Sequence, residues 1–469
     1  MRGRLIHIAV GFVAAFVLLA IADARVQIGQ RTFIESHAGD PRHAISIADR
    51  GTLFDAAGQP LAMSVSPTRG EAYRRYPAGA ELAQVVGYAS TIYGESGLEA
   101  GLDSVLSSPA AQPGSIFAPF DAAPARKTTS RGGDVVLTLR ADIADVVQRA
   151  LPANVRGAAV VMDPRNGALL AIVNRPTFDP NRLEHDWKDL RGRSDAPLLD
   201  RGAGGLYPPG STFKMMTASA ALDAGAVTPD DRFSDPGYVR INGYTIHNNE
   251  GEITGTQTVT GAFALSSNVD FAQIAIKLGP GDFYDYLRRF GVGGNTDAPI
   301  AIERDEVPAQ SSISPSELAQ MAFGQGSLAV TPLRMAIIAS TVANGGVMMQ
   351  PQFVKQIREP GKPPIAIPPA TGVQAISAET ADEVRTMMEA VVRYGTGTAA
   401  ALPNVTVAGK TGTATHPGGA PDAWFVCFAP AESPRVVVAV VVEDAGYGGV
   451  VSAPIARTIL AGTLPLYAR

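Results

Sequence analysis

The stretch VTVAGKTGTATHPGGAPDAWFVCFAPAESPRVVVAVVVED, residues 405–444, holds three apolar and β-branched runs joined by short Gly- and Pro-containing connections. VTVAGKTGTAT, AWFVCFAP and RVVVAVVVED therefore read as three consecutive strands. Cys427, the one cysteine, falls inside the second run with no basic neighbour, the setting of a buried structural thiol. Two earlier runs, Ala158 to Met162 and Ala168 to Val173, flank the turn DPRNG and should pair antiparallel. Between these distant strand groups the periodicity is helical. One helix is expected from Ser211 to Ala224, stopped by Gly225, and another from Val269 to Leu278, stopped by Gly279. APIARTILAGTL closes the chain as a helix. These readings predict one antiparallel sheet assembled from both ends of a domain and flanked by helices, with a helical subdomain: an α/β (α+β) class.

Working towards the N-terminus, DVVLTLRADIADVVQRAL reads as a strand followed by an amphipathic helix. Before it, residues 106–133 are crowded with Pro, Ala, Ser and Gly and break all periodicity. ISIADRGTLFDAAGQPLAMS alternates about the turn former DAAG as a short hairpin would. Leu5 to Ile21 are apolar apart from His7 and follow Arg2 and Arg4, as in a signal anchor with a cytoplasmic N-terminus. The small-x-small triplet Ala22-Asp23-Ala24 fits the alternative of a cleaved signal peptide, although the apolar span is longer than such peptides carry. Both put the rest of the chain outside the cytoplasm. The expected organisation is a cytoplasmic tip and transmembrane anchor at 1–25, a small β-rich pedestal with its linker at 26–133, and a large domain at 134–469.

With 469 residues the chain can form more than one core, and its formal charge of −5 is spread through the sequence rather than gathered in blocks. No basic stripe is present for a nucleic-acid backbone. The six histidines never take the paired spacing of a zinc site, so no metal and no cofactor is expected.

Three short motifs carry chemistry. Ser211 and Lys214 in YPPGSTFK are three residues apart, hence on one helical face, a nucleophile beside its base. PPG, just before the serine, stops any earlier helix and leaves unpaired N–H groups at the positive end of the new one. The ordinary alternative is an N-cap serine and a solvated lysine; about 0.5 chance Ser-x-x-Lys matches are expected in such a chain. Ser266 to Asn268 in LSSNVDF stands between two helices, where Ser and Asn are usually caps. Lys410-Thr411-Gly412 lies inside a strand, where Gly412 allows another backbone to approach or marks a bulge. Finding all three in this order by chance should happen in fewer than about one chain in a hundred.

On these motifs the sequence resembles the penicillin-binding protein and serine β-lactamase superfamily. FGQG at 323–326, TPLRMA after it, GTGTA at 395–399 and AWFVCFAP are similar to transpeptidase segments, and ADRGTLFDAAGQPLA and GYASTIYGESGLEAGLD resemble the pedestal of class B penicillin-binding proteins. The resemblance implies the penicillin-recognising serine transpeptidase fold and a peptidoglycan D,D-transpeptidase acylated by β-lactams. It implies that Ser211 attacks the penultimate D-alanine carbonyl of a stem pentapeptide, that Lys214 takes the hydroxyl proton, and that Lys410 is the second positive charge keeping Lys214 neutral. Ser266 would bridge the lysines, and Asn268 would hold Lys214 and a substrate amide. The backbone N–H groups of Ser211 and Thr413 would form the oxyanion hole, and the Thr411 and Thr413 hydroxyls, on the strand opened by Gly412, would bind the terminal carboxylate. Strand alternation puts Lys410 on the other side from these threonines, so a local twist is expected to reconcile them. A multi-spanning glycan polymerase of the shape, elongation, division and sporulation family is the implied partner at the cell membrane. A D,D-carboxypeptidase uses the same residues, and a non-catalytic β-lactam receptor is the alternative of another class. A class A β-lactamase is disfavoured because no Leu-Asn pair exists in the chain.

Overall fold

The computed structural model describes residues 47–68, 70–107 and 131–467. The expected anchor at 5–21 and most of the Pro/Ala-rich linker lie outside them. Among the described residues no helix is long and apolar enough to cross a membrane.

The three runs at 405–444 form three strands of a five-stranded antiparallel sheet. Its strands are β1 (Gly157–Met162), β2 (Leu169–Arg175), β3 (Ala408–Ala414), β4 (Asp422–Ala429) and β5 (Val436–Val442), in the order β3-β4-β5-β1-β2. β1 and β2 pair antiparallel across the DPRNG turn, and β5 pairs with β1 to join the two ends of the domain. Every residue of β1, β4 and β5 is buried, which requires cover on both faces and explains why these strands are apolar without alternation. Cys427 is among them.

The covering helices are α1 (Ala141–Ala150), α2 (Lys214–Asp223), α3 (Val259–Leu265), α4 (Asn268–Arg289), α5 (Pro332–Ala343), α6 (Ala378–Arg393) and α7 (Ser452–Tyr467). α1 and α7 pack on each other and on the sheet; α5 packs on β5 and β1, and α6 on β3 and α2. α2 ends as expected at Gly225, with φ 66°. α4 continues past its predicted stop only after a break at Gly279 (φ 80°, ψ 161°) followed by Pro280.

The DAAG hairpin is present as Leu53–Phe54 and Pro60–Val65. These strands belong to a six-stranded sheet that runs across the boundary drawn between 133 and 134. Asp134–Leu137 pairs parallel with 53–54 on one side and antiparallel with Val354–Arg358 on the other. A composition break marks where the chain is locally irregular; strand pairing over long sequence distances leaves no such mark. Arg50, fully buried, holds this region together through Glu99 (Nε–Oε2 2.7 Å) and Asp103 (Nη1–Oδ1 2.6 Å).

Candidate active site

The chain enters α2 through a 3-10 turn, Gly210–Phe213. Residues i and i+3 eclipse in that geometry, so Ser211 and Lys214 stack more directly than on an α-helix. Gly210 has φ 53°, and its N–H donates to the Gly324 carbonyl at 2.9 Å. A Cβ on Gly324 would lie 2.1 Å from the Gly210 oxygen, which gives the FGQG segment its reason for a glycine there. Ser211 lines a cleft of about 740 Å³. Lys214 is fully buried beneath it, and its Nζ donates to the Ser266 carbonyl (2.6 Å), Asn268 Oδ1 (2.9 Å) and Ser266 Oγ (3.3 Å). The Ser211 hydroxyl is not among those three partners.

The junction between α3 and α4 divides its duties among three residues. Ser267 is the cap, accepting from the Asp270 N–H at 3.0 Å. Ser266 and Asn268 are therefore left for the cleft. Ser266 terminates α3 in the left-handed region (φ 66°, ψ 34°), a conformation costing roughly 1–2 kcal/mol for a residue with a Cβ. Asn268 is tied further by its Nδ2 donating to the His247 carbonyl (3.2 Å) and its N–H donating to Asn248 Oδ1 (2.8 Å). Behind them the buried Asp235 carboxylate accepts from Ser267 Oγ (2.8 Å), Asn248 Nδ2 (2.6 Å) and the Gly237 N–H (2.8 Å). Burial pushes this carboxyl up, but its hydrogen bonds, Thr254 first, outweigh that and hold it below the usual range.

Lys410 reaches the same serine from the opposite side. β3 pairs with β4 residue for residue from Ala408 to Ala414, so no bulge interrupts it and strand alternation holds without the expected local irregularity. Thr411 and Thr413 line the cleft, while the fully buried Lys410 runs through the interior and donates from Nζ to Ser266 Oγ at 2.8 Å. A four-carbon stem supplies the reach that a twist was expected to supply. Each Nζ lies over an aromatic ring, Lys214 at 5.4 Å from the Phe271 centroid and Lys410 at 5.6 Å from Phe263. Burial pushes the Lys410 amine down to about 7. Burial, and then the positive charge of Lys410, push Lys214 well below the usual lysine range.

β3 is the edge strand of its sheet, and it abuts the nucleophile turn. A Cβ on Gly412 would lie 2.9 Å from the Pro209 carbonyl oxygen and from a Thr212 methyl, and one on Gly210 would lie 3.0 Å from the Thr413 carbonyl oxygen. This contact brings together the two backbone segments that carry the Ser211 and Thr413 N–H groups. Thr411 Oγ1 is 2.6 Å from Thr396 Oγ1 of the GTGTA segment.

All eight residues singled out in the sequence thus lie in or directly under one cleft. Sequence reasoning missed Asp235 and Asn248, which orient two of them, and Thr396, which orients a third. His247 ends a short strand, Tyr244–His247, and lines the cleft. His416 stands outside, with Nε2 at 3.3 Å from Asp422 and 3.4 Å from Asp444. The arrangement sets a partly exposed hydroxyl one turn from a buried amine of depressed basicity, with a second amine and a hydroxyl behind it, which is the equipment of acyl transfer.

A family model described as the penicillin binding protein transpeptidase domain matches residues 157–461, and one described as the dimerisation domain of penicillin binding protein A matches 50–114. The peptidoglycan D,D-transpeptidase PbpA of Mycolicibacterium smegmatis is 33% identical, over 96% of this chain and 97% of that protein. Its Mycobacterium tuberculosis namesake is 32% identical over 99% of both. Among solved structures, the D,D-transpeptidase domain of a peptidoglycan glycosyltransferase from Eggerthella lenta superposes with a TM-score of 0.81 at 36% identity, covering 90% of this chain and 99% of that one. The ceftriaxone acyl-enzyme complex of penicillin-binding protein A from M. tuberculosis superposes with a TM-score of 0.80 at 30% identity, covering 89% and 99%.

Proposed function

The chain belongs to the penicillin-binding protein transpeptidase family, and from that membership we propose that it is a peptidoglycan D,D-transpeptidase working through an acyl-enzyme on Ser211. Lys214, neutral because it is buried beside a second lysine, takes the hydroxyl proton as Ser211 Oγ attacks the penultimate D-alanine carbonyl. The N–H groups of Ser211 and Thr413 receive the developing oxyanion, each such donor being worth about 2.7–4 kcal/mol in a transition state. As the C–N bond breaks, the proton passes through Ser266 to the leaving D-alanine amine. The unpaired edge of β3 takes the extended stem peptide as an added strand, and Thr411 and Thr413 hold its terminal carboxylate. An amine from a second stem then attacks the ester, forming the cross-link and returning a proton to Ser211. A β-lactam acylates the same serine.

The observation that carries this reading is the Ser266 hydroxyl shared between two buried lysines, 2.8 Å from Lys410 and 3.3 Å from Lys214, in the cleft that Ser211 lines. Replacing Ser211 by alanine should abolish covalent labelling by a fluorescent penicillin in a chain that still folds; undiminished labelling would refute it. Mass spectrometry with a defined pentapeptide and an acceptor amine then separates cross-linking from loss of D-alanine by hydrolysis, the carboxypeptidase outcome.

The apolar run at 5–21 after Arg2 and Arg4 supports a single membrane anchor with the catalytic domain on the extracytoplasmic side. With no glycan-polymerising domain between anchor and linker, the partner is a separate multi-spanning polymerase. Pull-down of the full chain from membranes tests this, and its recovery with no such polymerase would count against the partner.

A further inference from the structure

A bond spans the mouth of the cleft that the mechanism above leaves unused. The loop after β5, DAGYGGV at 444–450, carries Tyr447 between glycines, and the Tyr447 hydroxyl donates to Glu250 Oε1 at 2.5 Å from across the cleft. Glu250 follows the strand that ends at His247 and has left-handed backbone angles (φ 52°, ψ 15°). The tyrosine's side of the bridge is firmly seated on the catalytic strand. A Cβ on Gly448 would lie 2.3 Å from the Gly412 carbonyl oxygen and 2.1 Å from that of Trp424, and one on Gly449 would lie 2.5 Å from the Thr396 oxygen. At the root of the loop, Glu443 accepts from Tyr207 Oη (2.8 Å) and Arg201 Nε (2.7 Å), which ties it to the chain entering the nucleophile turn. A loop so seated places Tyr447 on the wall of the cleft that Ser211 also lines.

The charges on the cleft wall are one-sided. Among the described residues that line it, Glu250 and Glu252 are carboxylates and none is a lysine or arginine, because Lys214 and Lys410 are buried below. Two substrates use this cleft in turn. The donor brings an anionic C-terminus, which the threonines of β3 take; the acceptor brings an amine, which is an ammonium at neutral pH. While Tyr447 occupies Glu250, the carboxylate presents less bare charge to the donor.

Resting on the transpeptidase reading, we propose that Glu250 is the acceptor-recognition group: the ammonium of the incoming strand replaces the Tyr447 hydroxyl on its carboxylate, and this exchange opens the bridge. The acceptor class it fits is a primary alkylammonium without a free carboxylate beside it. Recognition is non-covalent. The ammonium gives up one proton to water, its nitrogen forms the C–N bond to the acyl carbonyl as the C–O bond to Ser211 breaks, and a second proton passes from nitrogen to the serine oxygen.

The test uses the full chain, a D-Ala-D-lactate depsipeptide donor, and glycinamide or glycine as acceptor. The ratio of aminolysis to hydrolysis divides out any change in acylation. In the wild type, glycinamide should be the better acceptor. E250Q should lower the glycinamide ratio at least ten-fold while changing the glycine ratio less than two-fold, E250D should restore part of it, and Y447F should raise it. An unchanged glycinamide ratio in E250Q would overturn the inference. So would equal losses in E250Q and Y447F, which would make the bridge merely structural, and so would a wild type that acylates but is aminolysed by neither amine. Failure of the wild type to be acylated by penicillin or donor strikes the transpeptidase reading instead.

Discussion

Replacing Lys410 by methionine should make the protein more stable and inactive. The side chain is fully buried, and burial holds its amine at about 7 against an ordinary 10.5. Between those values the unfolded chain binds a proton that the folded chain does not, so the wild type gains stability as pH rises through this window and loses it as pH falls through about 7. The difference corresponds to about 5 kcal/mol in full and about 4 kcal/mol at pH 7. Methionine keeps most of the stem volume and removes the ionisation. Against the gain stands a lost hydrogen bond to Ser266, about 1 kcal/mol, while easier proton uptake by Lys214, no longer beside a second lysine, works in the same direction as the gain. A net gain of about 1–3 kcal/mol at pH 7 is expected, shrinking towards zero near pH 10. Urea unfolding at a series of pH values reads it as a shift in midpoint. Penicillin labelling of the same variant should fall by at least about 100-fold, and its remaining rate should need a higher pH, because Lys214 is then neutral only at a higher pH. A methionine variant less stable than wild type at pH 7, or an advantage that does not shrink with rising pH, would refute the argument that burial depresses the basicity of Lys410.

Two further perturbations separate neighbours. Ser266→Gly should relieve the left-handed backbone and leave thermal stability unchanged or about 1 kcal/mol higher while penicillin acylation collapses; Ser267→Ala should instead cost about 1–2 kcal/mol through the lost cap of α4, with a smaller effect on acylation, and exchange of these two phenotypes would refute the division of duties. Gly412→Ala must push β3 away from the nucleophile turn to relieve the 2.9 Å contacts with Pro209 and Thr212. Stopped-flow acylation should slow by about 100-fold or more as one oxyanion donor is displaced, and wild-type rates would show that the two segments need not touch.

The parts of this fold that were legible in sequence are those with local causes. The strands at 405–444 announce themselves through β-branched runs, and both helix stops through glycines with positive φ. The residues gathered at the cleft were legible because three weak motifs in a fixed order restrict one another. The six-stranded sheet was not: Asp134–Leu137 joins strands from both sides of a composition break, and register between such distant segments has no local signature. Asp235 and Asn248 were missed for the same reason. Nothing near either residue says that its partner is the start of a helix 32 residues on for Asp235 and 20 for Asn248. Lys410 was misjudged differently, since alternation placed it correctly and only the length of its side chain had been left out.

The length of that side chain shapes the proton relay of the proposed mechanism. Two ammonium groups on one surface would repel each other and draw water; here one amine comes up from the turn of the nucleophile and the other passes through the core, so that a single hydroxyl separates them. Such a hydroxyl has to be available from both sides, and Ser266 is so placed because it ends one helix in the left-handed region just before Ser267 begins the next. The backbone strain of that corner persists only if its surroundings over-determine it. Asp235 does this, gripping Ser267 directly and Asn268 through Asn248, while its charge favours the protonated form of Lys214 and so offsets part of the depression there. The site therefore depends on a carboxylate that touches neither lysine and lines no part of the cleft. Removing it should loosen Ser266 and Asn268 together, so its loss should be felt in acylation before it is felt in the fold.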